Sequence, residues 1–171
     1  MKNKKFIAFL GLSLLLTSAC STTDESTVAT TGSTAETVSQ EDYTIEEYFD
    51  ELVNLIEPVT TDNYNSDDYL FHDYKTILRD PEKFFGIKIG LINLEIIQII
   101  EEGKYTKLLG YTPNDDLYML FIETNRLETK LLEDDVLHVN GRYVFDMEYE
   151  TQGGSDKTVP LIYIDAYLLL D

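Results

Sequence analysis

Very few residues of this chain could act as catalysts. A nucleophilic serine or cysteine needs a nearby base to activate it, and the only histidines in the sequence are His72 and His138. Neither stands in a nucleophile-elbow or paired-histidine pattern, and no glycine-rich phosphate loop is present. His138 lies between Leu137 and Val139, so on a strand its side chain points away from the core. We therefore predict two ordinary surface or rim histidines, no catalytic residue, no enzymatic activity and no cofactor.

Groups of acidic residues are the second source of possible chemistry. They occur at Asp67-Asp68, Asp115-Asp116 and residues 133–135. Carboxylates are hard oxygen ligands that suit calcium. None of these groups has EF-hand spacing, because the Asn-x-Asn-x-Asp stretch at 63–67 lacks the glycine and the final glutamate of that loop. We predict that all three groups are solvated turns and that the chain has no metal site.

The only cysteine, Cys20, follows a segment with the composition of a signal peptide. Three lysines in the first five residues form a basic start, residues 6–16 are apolar, and Ser18 and Ala19 precede the cysteine. The apolar run is shorter than the roughly 20 residues that a spanning helix needs. The pattern resembles the lipobox of bacterial lipoproteins. That resemblance implies cleavage after residue 19 and a lipid anchor on Cys20; the alternative is an ordinary secretory signal followed by a chance cysteine.

The charge of the chain is strongly negative. The formal net charge is −19, and it becomes −22 without residues 1–19, which hold three lysines and no acid. Residues 20–70 contain thirteen acids and no lysine or arginine. Such a field attracts cationic peptides and repels phosphates, and Lys104 and Lys107 are the only basic residues near the aromatic strands. We therefore predict a protein or peptide partner, a membrane contact through the Cys20 anchor, and no nucleic acid.

The elements that hold these residues are predicted to be mainly β. Five segments have the composition of half-buried strands, and turn formers separate them: 87–100, 105–111, 117–122, 137–149 and 159–170. In the gap at 123–135, Leu127, Leu131 and Leu132 predict one short helix. This order predicts a five-stranded OB-like Greek-key barrel. The apolar alternation of the first strand changes phase near residue 92, which predicts a β-bulge.

A short helical segment is predicted to precede the barrel. Thr44 and Glu47 form a capping-box pattern, and Pro58 ends the helix that they begin. Its apolar stripe must dock either on the barrel or on another protein. Residues 69–79 have helical spacing and predict a second helix. The predicted organisation is a signal peptide at 1–19, a Ser/Thr-rich disordered tether at 20–43, helices at 44–79 and the barrel at 80–171.

Three stretches resemble a family of bacterial OB-fold lipoproteins related to the tRNA-anticodon-binding-like domain. They are YKTILRDPEKFFG (74–86), LEDDVLHVNG (132–141) and YETQGGSDKTVP (149–160), in the order and spacing of that family's opening turn, fourth strand and final strand. The chain departs from the family near Asn93, where glycine is usual, and at Asn140, where tyrosine is usual. The resemblance implies a fold and an extracytoplasmic location rather than a reaction.

OB barrels commonly bind ligands along strands two and three. Tyr105, Lys107 and Tyr118 are therefore the candidate ligand-binding residues. The function predicted is that of a non-enzymatic binding module, anchored on the extracytoplasmic face of a cell membrane. The alternatives are an immunity lipoprotein that captures a cationic peptide or toxin, an accessory subunit of a cell-envelope enzyme, and a structural spacer.

Overall fold

The computed structural model describes residues 44–150 and 154–170; the predicted signal peptide, Cys20 and tether lie outside this part of the chain. The helices are α1 (Ile45–Leu55), α2 (Tyr74–Arg79) and α3 (Pro81–Phe84). The strands are β1 (Lys88–Glu102), β2 (Tyr105–Tyr111), β3 (Leu117–Glu123), β4 (Val136–Glu150) and β5 (Asp156–Leu170). Within these residues, none of the helices combines the length and the apolar character that crossing a bilayer requires.

The five strands close into a barrel in the order β1-β2-β3-β5-β4. All neighbouring strands are antiparallel except β3 and β5, which pair in parallel. Fully buried leucine and isoleucine side chains fill the interior: Leu94, Leu120, Leu137 and Ile162 among them. The predicted class, a mainly β, five-stranded OB-like Greek-key barrel with a short N-terminal helical segment, is confirmed.

The change of phase in β1 is a bulge, as predicted. Leu91 and Leu94 both face the interior, while Ile92 and Asn93 between them are exposed. The register with β4 shifts at this point. Asn93 has a φ of 51°, a left-handed conformation that asparagine tolerates better than most residues. The bulge therefore bends β1 around the barrel and turns Ile92 outward.

The predicted helix within residues 123–135 is wrong. The chain makes one 3₁₀ turn at Thr124–Arg126 and then continues without helix. A helix needs amides that bond to carbonyls four residues earlier, but the Glu128 amide donates to the Tyr167 hydroxyl at 2.9 Å and the Leu132 amide donates to the Asp135 side chain at 2.7 Å. Leu131 is buried in the barrel core, so the leucine spacing reflects a loop that covers one barrel end.

The second predicted helix is shorter than residues 69–79. It begins at Tyr74 because the Asp73 side chain accepts the Thr76 amide at 2.9 Å and caps it. The residues before it are extended, and Leu70 forms an isolated bridge with Ile89 of β1. This extended segment lies along the barrel and forms one wall of a groove described below.

Strands β2 and β3 are buried on both faces. One face lies in the barrel interior, and the other packs against α1. Phe49 and Leu52 of α1 and Ile56 directly after it share an apolar cluster with outward residues of β2, β3, β4 and β5. We call this outer surface the covered face. The outer surface formed by the first halves of β1 and β4 and the second half of β5 lies apart from this cluster and carries the groove described below, and we call it the open face.

Candidate functional site

The covered face is the side of an OB barrel where ligands commonly stack, but here the chain's own α1 occupies it. The Phe49 ring stacks on Phe121 with centroids 4.4 Å apart and planes 18° apart. It also meets the edge of Tyr105 at 5.4 Å. Phe49 is completely buried. An aromatic side chain of the protein therefore takes the stacking position that a ligand would otherwise use.

Polar contacts fasten α1 to the same face. Asp50 lies 2.5 Å from the Lys104 ammonium and accepts a hydrogen bond of 2.6 Å from the Tyr105 hydroxyl. Both contacts stabilise the carboxylate, and they hold the pKa of Asp50 below its ordinary value, with the Lys104 hydrogen bond as the larger cause. Burial, followed by the Asp50 hydrogen bond, raises the pKa of Tyr105. Helix α1 thus contacts the barrel both through the Asp50–Lys104 ion pair and through the Phe49 ring on Phe121.

The three candidate ligand-binding residues do not form one accessible site. Tyr105 lies on the covered face beneath α1, and Lys107 is buried there in an ion pair with Glu102 of β1. Tyr118 points into the barrel interior, where its ring meets the edge of Tyr74 at 5.2 Å. All three side chains are at least nine-tenths buried, so none offers a surface to a ligand in this conformation. Their assignment as ligand-binding residues stays a prediction.

The open face carries a groove of about 410 Å³. Its floor consists of outward side chains from β1, β4 and β5, and its wall is the extended segment around Tyr69. Large apolar side chains of the groove are exposed: Phe71 by 65 %, Ile92 by 62 % and Leu168 by 60 %. Large apolar side chains that are exposed around one concave surface can pack against a ligand. The groove is therefore the candidate functional site.

Hydrogen bonds between its own side chains fix the groove's polar groups. Asn140 donates to the Tyr64 hydroxyl at 2.8 Å, and His138 Nε2 lies 3.0 Å from the Asn93 side-chain oxygen. His138 is thus a rim residue, as predicted; Asn140 lines the groove, and Asn93 contacts it through His138. These polar groups bond to one another, and the exposed side chains of the groove are mainly apolar.

Gly90 allows the wall to approach the floor. The Gly90 amide donates to the Leu70 carbonyl at 3.0 Å, and a Cβ added at this glycine would lie 2.9 Å from the Tyr69 carbonyl oxygen. That separation is shorter than real Cβ contacts allow. A glycine is therefore needed for the wall segment to lie directly against β1.

A buried ion pair connects the open and covered faces. Arg142 of β4 contacts Asp165 of β5, with Nη2 and Oδ1 2.6 Å apart, and both side chains are at least 95 % buried. Tyr69 in the groove wall donates to Asp165 at 2.9 Å, and Arg142 also donates to the Glu57 carbonyl just after α1. Burial, followed by the Asp165 charge, raises the pKa of Tyr69. We call these residues (Glu57, Tyr69, Arg142 and Asp165) the bridging network.

A second ionic group borders this network. The guanidinium groups of Arg126 and Arg142 lie 5.5 Å and 5.3 Å from the centroid of the Tyr163 ring. Its hydroxyl donates to Glu123 at 2.7 Å. Burial opposes ionisation of Glu123, but hydrogen bonds from Tyr163 and Arg126 outweigh it and hold the Glu123 pKa below its ordinary value. These groups are paired within the fold and offer no reactive site.

Other candidate chemistry is weaker. Residues 44–150 and 154–170 contain no group of three or more histidine, cysteine or acidic side chains placed to hold a metal ion. A second cavity of about 320 Å³ lies under the loop after β3, beside Thr106 and Leu131. His72 meets the edge of the Phe84 ring at 5.3 Å. None of these features joins a nucleophile to a base.

The groove residues were not predicted from the sequence. Ile92 and Leu168 belong to apolar strand segments, in which the residue type alone does not distinguish an exposed position from a buried one. The phase change at Ile92 was a usable signal, because it shows that one large apolar residue must face outward. The helical spacing of residues 69–79 predicts a helix at Phe71, whereas the structure places Phe71 in the extended segment beside the barrel.

No protein-family model matches the chain, and no curated protein matches it. The mitochondrial single-stranded DNA binding protein Rim1 of S. cerevisiae is a similar solved structure, with 16 % identity, a TM-score of 0.36 and coverage of 48 % of this chain and 91 % of that one. A second similar structure is a protein assigned as an aspartyl-tRNA synthetase from Leishmania major Friedlin. Its identity is 11 %, its TM-score is 0.40, and the match covers 73 % of this chain and 24 % of that one.

The prediction of no nucleic-acid partner is wrong in the light of these matches. The similar solved structures include mitochondrial single-stranded DNA binding proteins. Similarity at this level assigns no ligand to the present chain. The proposed membership of the bacterial lipoprotein family also stays a prediction.

Proposed function

We propose that the protein is a non-enzymatic binding module, anchored through Cys20 on the extracytoplasmic face of a cell membrane. In this proposal the open groove is its ligand site. One observation carries the assignment: the face on which OB barrels usually bind is filled by α1, whereas the groove on the open face exposes large apolar side chains. The basic, apolar and small-residue pattern before Cys20 supports the location.

The anchor is tested by the mass of the protein extracted from membranes. We expect the loss of residues 1–19 and a gain that matches a lipid. A Cys20→Ala variant made in the same cells should show neither change. An unlipidated, soluble wild-type protein would remove the anchor from the proposal and leave the groove to be tested separately.

The binding site is tested by cross-linking in the same cells. A photoreactive amino acid replaces Ile92 in the groove, and a matched variant carries it at Leu132, which is 57 % exposed and does not line the groove. We expect a cross-linked product from position 92 that is absent from position 132. Equal products from both positions, or none from position 92, would contradict the groove as the binding site.

A further inference from the structure

The groove's exposed surface is apolar and its polar groups are already bonded. Asn140 donates one hydrogen bond to the Tyr64 hydroxyl, and His138 Nε2 lies within hydrogen-bond distance of the Asn93 side-chain oxygen. A ligand that depends on many hydrogen bonds, such as a sugar, would have to break these pairs at a cost. A ligand that presents apolar side chains gains contact with Phe71, Ile92 and Leu168 without breaking any of them.

The segment that leads into the groove wall is acidic. The segment from Glu57 to Asp68 carries four acids, and residues 6–74 contain no lysine or arginine. Lys88 pairs with Asp68 at 2.7 Å. Asp62 and Asp67 are exposed, and among the described residues no lysine or arginine forms an ion pair with either. Asp62 and Asp67 each lie two residues from a tyrosine that lines the groove, Tyr64 and Tyr69 respectively, so the segment beside the groove carries a net negative charge.

We propose that the groove binds a cationic amphipathic peptide segment, an inference that rests on the proposed function of the groove as the ligand site. Apolar side chains of the peptide pack on Phe71, Ile92 and Leu168, and its flanking lysines or arginines face Asp62 and Asp67. The charge of the rim is complementary to a peptide cation. Complementary charge of this kind raises the association rate and weakens as salt is added.

The groove's dimensions are compatible with this occupant. A volume of about 410 Å³ falls within the range of small-ligand pockets and holds a few side chains rather than a folded domain. No lysine or arginine lines the groove. Lys88 lies 5.4 Å from the centroid of the Tyr69 ring, but its charge is paired with Asp68. This leaves Asp62 and Asp67 in the acidic segment without an ion-pair partner among the described residues. A short segment with an apolar face and flanking basic side chains matches both properties.

The test uses the full-length purified protein and synthetic probes. The first probe is a 12-residue peptide of lysine and leucine with helical spacing. Two matched peptides replace lysine by glutamate or leucine by serine, and an oligothymidylate serves as the nucleic-acid probe. Binding is measured by calorimetry at low salt and at about 0.5 M salt, where electrostatic attraction is strongly screened.

Variants locate the binding on the molecule. Phe71→Ser with Leu168→Ser alters the groove, and Leu55→Ser with Leu132→Ser removes equally exposed apolar residues elsewhere. Asp62→Asn with Asp67→Asn removes the rim charge, and Glu82→Gln is its control on α3. Because all these side chains are exposed, we expect every variant to fold, which circular dichroism checks.

We expect the lysine–leucine peptide to bind the wild type and the control variants equally. The groove variant should lose at least about tenfold in affinity, and the rim variant about threefold at low salt and less at high salt. If the glutamate–leucine peptide or the oligothymidylate binds the groove as tightly, the peptide class is wrong and the groove function stands. If the groove variant changes the binding of no probe and position 92 forms no cross-link, both proposals fail.

Discussion

The covered face and the open face of this barrel display similar side chains, but the chain supplies a partner to only one of them. On the covered face, Phe49 of α1 fills the space above Phe121 and Tyr105. On the open face, Phe71 and Leu168 are exposed beside the groove. The comparison shows that the usual binding surface of a fold can become part of its core, and binding is then expected on a different surface.

The largest expected effect comes from removing the ring at the centre of the covered face. Phe49→Ala leaves a cavity in a closely packed cluster, and we expect the free energy of unfolding to fall by about 3–5 kcal/mol. Phe71→Ala on the open face should change it by less than about 0.5 kcal/mol. Denaturant unfolding of both variants measures the difference. Equal losses would show that the two faces are not distinguished by packing.

The bridging network between the faces should give the next largest effect. Arg142→Met leaves the Asp165 carboxylate buried without its ion partner, which we expect to cost about 3 kcal/mol of unfolding free energy. Tyr69 still donates to Asp165, so the loss should lie at the low end of the usual range.

The double variant Arg142→Met with Asp165→Leu is the control. It removes both charges, and we expect it to recover much of the stability lost by the single variant. A double variant that is no more stable than Arg142→Met would show that packing, rather than the unpaired charge, causes the loss.

Much of the barrel follows from the sequence because its signals are local. The alternation, the turn residues and the phase change of β1 gave the five strands and the bulge. The Thr44 and Glu47 pattern gave the start of α1, where the structure shows the capping box. These features depend on residues that are close in the chain.

The site could not be predicted in the same way because it depends on distant contacts. The apolar stripe of α1 required a partner but did not specify which barrel face it would cover. The apolar run in β3 from Leu117 to Ile122 was a signal for burial on both sides. A β3 strand that is buried on both sides places Tyr105 and Lys107, on the adjacent strand, under the same cover.

A smaller effect is expected at the junction between the groove wall and β1. Gly90→Ala places a Cβ against the Tyr69 carbonyl oxygen, so the wall must shift, and we expect a loss of about 1–2 kcal/mol in unfolding free energy. Hydrogen exchange should increase at the wall amides 64–71 and stay unchanged in α1. An increase in both places would mean that the substitution disturbs the whole barrel.

The smallest expected effect is a difference in acid sensitivity between the covered face and the open face. Hydrogen bonds from the Thr44 backbone and then its hydroxyl hold the pKa of Glu47 below its ordinary value of 4.5. Lys104 and then Tyr105 hold that of Asp50 below 3.8. A carboxyl whose pKa is lower in the folded state stabilises that state above its unfolded pKa, and this stabilisation is lost as the pH falls through the folded pKa.

Acid should therefore loosen α1 before it opens the barrel. Between pH 6 and pH 3, we expect hydrogen exchange, corrected for its intrinsic pH dependence, to increase first at the amides of α1. Asp50→Asn should reduce the pH dependence at α1, because the amide keeps a hydrogen-bond acceptor for Tyr105 but no longer titrates. If α1 and β4 lose protection together in the wild type, the helix is an inseparable part of the barrel. The covered face would then be no more acid-sensitive than the open one.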